Sequence, residues 1–471
     1  MKRGLIALFV VLFVVLGASC GASDPPARPV WDKGLPSAAV MGAVRGLEPA
    51  RGIIHLHSPY SHDACDGDPR GASGLGPVDE ACLADLRQAL CTDRIDFAAL
   101  TDHDDSMADE DFASLFVMRD GDQAVTVDGH QVASRITCGD GHQVLVTVGG
   151  ENEIMPIMLD GHVAGDIPTR HATYNGDDAT AVAAMRAAGA TIWIAHSEQR
   201  TTAHLAELAP DGIELYNLHA NLDPSIRETY LGLPAAGAIT AVAEFADTSD
   251  LELEPDLALI SFLSASGPAL DRWNELLAAG HHLAASAGTD AHENALPIVL
   301  ADDERGDSYR RMMRWFANIA LVTDAADPVA IEDAVRRGQS YVAFELFGTP
   351  VGFDAAMLGG AAPGGPGALV PDASGLHYDV TVPTIYRLDP SLPAPEIRAR
   401  ILYISAAGVT ELASGPGPIV TAPYAGIGAY RAEITIRPRH LGPYLGHVGA
   451  AVADQELPWI YGNPTYVVSA P

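Results

Sequence analysis

Cationic residues are scarce in this chain. Lys and Arg together number 28 against 61 Asp and Glu in 471 residues, a formal net charge of −33. That balance repels a polyanion at long range, and no Lys/Arg stripe offsets it, so no nucleic-acid partner is expected. Aromatics are also few, at 6%, which counts against a protein that binds glycans by stacking. Cysteine is rare, five residues with no CxxC pair, so a thiolate zinc site is not expected. A Gly-X-Y period and sustained heptads are both missing, which excludes collagen and coiled coil. No GxSxG elbow and no Walker A loop occur, leaving a serine hydrolase or P-loop enzyme without support.

What is present is apolar material, 48% of the chain, punctuated by 46 Gly and 33 Pro. That is enough for more than one core, with many turns and short strands. At the N-terminus Lys2 and Arg3 precede an uncharged apolar run, residues 4–17, too short to span a bilayer. It ends in LGASC, which places Cys20 like the lipidated cysteine of a bacterial lipoprotein; cleavage after a nearby small residue is the alternative. Residues 1–20 are therefore read as an export signal and 21–50, rich in Pro, Ala and Gly, as a tether. Export to the periplasm or an outer-membrane anchor follows, with membrane contact only through the lipid. Cys65, Cys82, Cys91 and Cys138 remain, an even number that suggests disulfides in an oxidising compartment.

From residue 52 short apolar β runs alternate with amphipathic stretches. GIIHLH, DFAALTDH, VLVTVGGE, TIWIAHSE, GIELYN and HLAASAGTDAH read as strands. Helices are predicted over 79–91, near 106–118, over 177–188, in a long stretch ending at 277, and through 337. Such alternation over 51–347 argues for a parallel β/α barrel or doubly wound sheet. Residues 348–471 break into short β segments between Pro/Gly clusters, which predicts a separate all-β sandwich.

In α/β enzymes chemistry gathers at the C-terminal ends of strands, and here those ends are full of ligand-type residues. The first finishes His55-Leu56-His57, an i, i+2 pair whose imidazoles share one face of the strand. Others end in Asp102-His103, Glu151, His196 and Asp290-Ala291-His292. Each piece alone is commonplace. Together they point to a cation held by imidazole and carboxylate, a donor set suited to Zn, Mn or Fe.

HLHSPYSHDACDG, LTDHD, VGGE, GHV, IAHS and GTDAH follow one another in an order that resembles the PHP (polymerase and histidinol phosphatase) superfamily, most closely its exported carbaryl-hydrolase branch. The resemblance covers roughly residues 50–345. It implies a distorted (β/α)7 TIM-like barrel with about three divalent ions. One ion would take His55, His57, Glu151 and Asp290; a second would share Glu151 and add His162 and His196, with His171 competing for the place of His162. The third would take His103, His292 and a residue from the first loop, His62 or alternatively Asp63. Catalysis would rest on Glu151 and Asp290, with Arg200 clamping an anionic group. Glu214, Asn217, Asp102 and Asp104 would orient ligands, and Tyr60 would line the mouth. His204, His219, His281 and His282 read as surface or core histidines.

Barrel topology also predicts the cysteine pairing. The loop after the first strand and the start of the next helix share one face, Cys65 with Cys82; the opposite face takes Cys91 and Cys138. The function expected is an exported metal-dependent hydrolase of a small or anionic ester, with phosphoesters first and carboxyl or carbamate esters as the alternative. A non-catalytic metal-binding or glycan-binding lipoprotein is the competing class.

Overall fold

The computed structural model describes residues 28–470 apart from 72–75, 236–238, 248–252 and 265. The expected signal and Cys20 lie outside the described residues. Among the described residues no helix is long and apolar enough to cross a membrane.

The strand Glu48–Leu56 is the hub, and all of it after Glu48 is buried. Residues 48–52 pair antiparallel with Ala317–Val322, while residues 52–56 pair parallel with Phe97–Ala99 and with Ala284–Ala291. From Phe97–Ala99 the sheet continues through Gln143–Thr147 into the hairpin His130–Thr137 and Gln123–Val127. From Ala284–Ala291 it continues through Gly212–Asn217 and Thr191–Ile194 to Met155–Ile157. The strands read from apolar runs all form; GIELYN spans the whole of Gly212–Asn217.

The architecture differs from the expected barrel with a separate sandwich. Among the described residues strand exceeds helix, 30% against 28%, and 17 strands form one large, mostly antiparallel sheet that does not close. Met155–Ile157 and Gln143–Thr147, the ends a barrel would join, share no ladder. Among the described residues their flanks are linked by Gly150 N–H to Pro156 O, Asn152 N–H to Ile154 O and Leu159 N–H to Val148 O. The physical reason is connection length. Parallel neighbours need a crossover of about a dozen residues or more, and the return from Glu151 to Met155 is far shorter, so Met155–Ile157 enters antiparallel to Thr191–Ile194. The tail also belongs to this sheet. Ser340–Ala343 pairs with Leu457–Gly462, which leads on to Gly428–Arg437 and Glu396–Ser405. Period-2 alternation reads the same in a sandwich and in strands added to an existing sheet.

Side chains take over where ladders stop. Along Ala284–Ala291, Asn318 bonds both the N–H and the C=O of Ala287, each at 2.9 Å. Asn463 does the same for Ala285, at 2.7 and 3.1 Å. The Tyr466 hydroxyl accepts from Leu283 N–H and donates to Leu283 O. The tail therefore pins the strand that carries Asp290.

Helices follow their caps. Asp79 accepts from Ala81 and Cys82 N–H and starts Glu80–Thr92. The predicted helix near 106–118 is two short pieces, Asp104–Met107 and the 3-10 turn Phe112–Phe116. The predicted long stretch ending at 277 is broken up. Pro224, Pro255 and Pro268 each sit in the first turn of a new helix, where a missing N–H costs nothing. Cys65 bonds Cys82 and Cys91 bonds Cys138, with Cα–Cα separations of 6.0 and 5.6 Å. Both pairings are as expected, and two disulfides fit an oxidising, exported location.

Candidate metal centre

Three strand ends meet at one point. The Nε2 atoms of His55 and His57 lie 3.3 Å apart. Glu151 Oε2 stands 3.0 Å from the first and 3.2 Å from the second. Asp290 Oδ1 stands 3.4 and 3.2 Å from the same two atoms. All four residues are buried. Donors about 2.1 Å from one ion are separated by about 3.0–3.4 Å along the edges of its coordination polyhedron, so the four atoms fit a single divalent cation.

The other oxygens of both carboxylates face His196. Its Nε2 is 3.4 Å from Glu151 Oε1 and 3.3 Å from Asp290 Oδ2. A second group is His57, Asp63 and His103, with His103 Nε2 3.4 Å from Asp63 Oδ2. A third is His219, Asp290 and His292.

These positions are held at a conformational cost. His55, His196 and Asp290 have φ of 80°, 48° and 50°, a region that costs a non-glycine residue on the order of 1–3 kcal/mol. Strain gathered on three converging side chains points to function. Around them, Glu214 Oε1 accepts from His55 Nδ1 at 2.7 Å, which leaves the Nε2 lone pair for an ion. Asn217 Nδ2 donates to Glu214 and to Asp290. Asp102 accepts from both the N–H and the hydroxyl of Ser58, and His103 Nδ1 bonds Glu151 O. Gly288 allows this packing, because a Cβ there would fall 1.8 Å from Glu214 Oε1 and 3.0 Å from His55 Nδ1.

Burial opposes every charge in the cluster, and the charges counter it pairwise. It pushes the His57 imidazole down, but Asp63, Asp290 and Glu151 outweigh it and raise the group to about 10. For His103 burial is likewise outweighed, first by the Asp63 bond, and the group rises to about 9. Burial pushes Glu151 and Asp290 up, yet His55 above all holds both well below the usual carboxylate range. Burial pushes His292 down to about 4 despite Asp290, so its ring is neutral at pH 7. Ionised carboxylates beside protonated imidazoles are a set in which a metal ion replaces protons.

Of the residues expected at the site, His55, His57, Asp63, His103, Glu151, His196, Asp290 and His292 come together. His62 is exposed, with its ring 5.0 Å from that of His103, and the loop residue grouped with His103 is Asp63. His162 is elsewhere: its Nε2 bonds Glu110 O at 3.0 Å and its Nδ1 meets the Tyr174 hydroxyl at 3.2 Å. His171 is turned to Asp104 and Asp109. Arg200 is engaged by Glu153 and Asp177, so it is not an open anion clamp. His219, read as a surface or core residue, stands 2.5 Å from His292. The signal for it was its place just past GIELYN, a strand end like the others.

The geometry defines a carboxylate–imidazole centre able to take divalent cations. The chain matches no protein-family model, no curated protein and no solved structure.

Proposed function

We propose that the chain is an exported metal-dependent hydrolase of ester bonds, phosphoesters first, with about three ions bound per molecule and Zn, Mn or Fe as the metal. The observation that carries this is the convergence of His55, His57, Glu151 and Asp290 at separations that fit one cation. The motif order that resembles the PHP superfamily supports it, through the ligands and not through a closed barrel. Divalent ions bound there would bring the pKa of water near neutrality and stabilise negative charge developing on the substrate.

The protein's own residues have distinct tasks. Glu151 and Asp290 each present two oxygens to opposite sides, so each can serve neighbouring ions. Glu214 holds the His55 ring, and Asn217 orients Asp290. Burial of His55 and His57 keeps bulk water from competing for those donors.

A carboxyl or carbamate ester is the second reading, and one observation favours it. Arg70 is paired with Glu110 and Arg200 with Glu153 and Asp177, so neither guanidinium stands free for a dianionic phosphate. Turnover of p-nitrophenyl phosphate and of a naphthyl ester, with and without EDTA, separates the readings. Metal-dependent turnover of either supports hydrolysis and names the bond. A metal-replete protein that turns over neither is the non-catalytic lipoprotein instead.

A further inference from the structure

We propose that His219, which the motif order left out of the site, is a metal ligand, forming with Asp290 and His292 a further cation site. The proposal rests on reading the cluster as a metal centre and adds a ligand to it. Donor atoms of these three residues lie within 4.8 Å of one another. His219 Nδ1 is 2.5 Å from His292 Nε2 and 3.7 Å from Asp290 Oδ2, and His292 Nε2 is 3.8 Å from Asp290 Oδ1.

Two ring nitrogens that face each other at this distance beside a carboxylate repel unless a proton or a cation lies between them. Among the described residues the His292 Nδ1 is buried without a hydrogen-bond partner, so the ring acts through Nε2, the atom turned toward His219. An ion about 2.1 Å from each nitrogen would need them about 3.0–3.4 Å apart. The His219 side chain is 25% exposed, against 2% for His292, so it has the freedom to back away.

The local chain is built to present this ring. Asn217 caps the helix Leu218–Leu222 by accepting from Ala220 N–H at 2.8 Å, while its amide donates to Asp290 at 3.3 Å. One side chain thus sets both His219 and Asp290. Because His219 is partly exposed while His55 and His57 are wholly buried, this site is more open to solvent than theirs. His162 has no such freedom, since both of its ring nitrogens are bonded within the Glu110–Tyr174 neighbourhood. Two imidazoles and a carboxylate favour Zn, Mn or Fe over Mg or Ca.

The test is the metal-to-protein ratio of the full chain, purified without chelator and equilibrated with Zn, for the wild type, His219→Ala, His162→Ala and His55→Ala. His219→Ala should lose about one ion per chain and keep the others, and His162→Ala should keep the wild-type ratio. A His219→Ala protein with the full ratio and unchanged resistance to chelator overturns the proposal alone. A wild-type chain without metal, or a His55→Ala protein that keeps every ion, overturns the reading of the cluster itself. Should His219→Ala fail to fold by circular dichroism, His219→Gln is read by the visible absorption of the Co(II)-loaded protein. An altered ligand-field spectrum supports the assignment, and an unchanged one refutes it.

Discussion

A ligand is only as good as the groups that aim it, and at the residue scale two supporting positions carry that burden. Glu214 fixes the His55 ring through a 2.7 Å bond to Nδ1. Glu214→Gln should weaken metal binding by about 10–100-fold without removing a donor, read by competition with a fluorescent chelator. Gly288→Ala should act alike, because the added methyl displaces Glu214 from His55; unchanged affinity in that variant would show that the close approach does not matter. Glu151→Ala is the severe case. Both of its oxygens face imidazoles, so its loss should remove at least one ion and nearly all turnover. Elemental analysis and the ester assay check the two halves of that statement separately.

Elements are held by a few long-range ties. Cys91–Cys138 joins the end of Glu80–Thr92 to the segment just after His130–Thr137. Replacing both cysteines with serine should cost about 2–4 kcal/mol in urea unfolding, mainly by freeing the unfolded chain. Asn463 is one tie for the Asp290 strand, beside Asn318 and Tyr466. Asn463→Ala leaves a buried N–H and C=O of Ala285 unpaired, at about 1–3 kcal/mol. Because Ala285 and Asp290 share a strand, metal affinity should fall with stability. A variant that loses stability but binds metal as tightly as before would show that the two are uncoupled. The short strands behind these elements were legible from their apolar runs, while Asp79, read as the first helical residue, is the cap. The break-up of the stretch before residue 277 was readable too, from Pro224, Pro255 and Pro268, but apolar periodicity masked it.

The molecule as a whole is tied together through the tail. His440 donates from Nε2 to Phe347 O at 3.0 Å, across the boundary where a separate domain had been expected. Burial pushes its pKa down to about 4, against the pull of that carbonyl. A histidine whose folded pKa lies below its unfolded value of about 6.5 contributes stability that is complete above 6.5. That contribution is lost as pH falls from there through 4, and it amounts to on the order of 3 kcal/mol. Urea melts at pH 7 and pH 4.5 should show this loss, and His440→Gln should shrink the difference between the two. A chain ended after residue 347 should fail to unfold cooperatively, because Ser340–Ala343 would lose its partner Leu457–Gly462. A stable, metal-binding fragment would restore the two-domain view.

Spacing along the chain determined which strand ends carry ligands. His55 and His57, or Asp290 and His292, share a face because side chains alternate along any strand, wherever it packs. The cysteine pairing was legible for a similar reason, since each pair depends on one strand, its helix and their nearest neighbours. Three things were decided only by tertiary structure. The sheet stays open because Met155–Ile157 returns too soon to run parallel. The tail joins that sheet because alternation does not say which edge a strand will find. His219 reaches Asp290 while His162 turns to Glu110 and Tyr174, because two histidines of equal chemistry differ only in what long-range packing sets beside them.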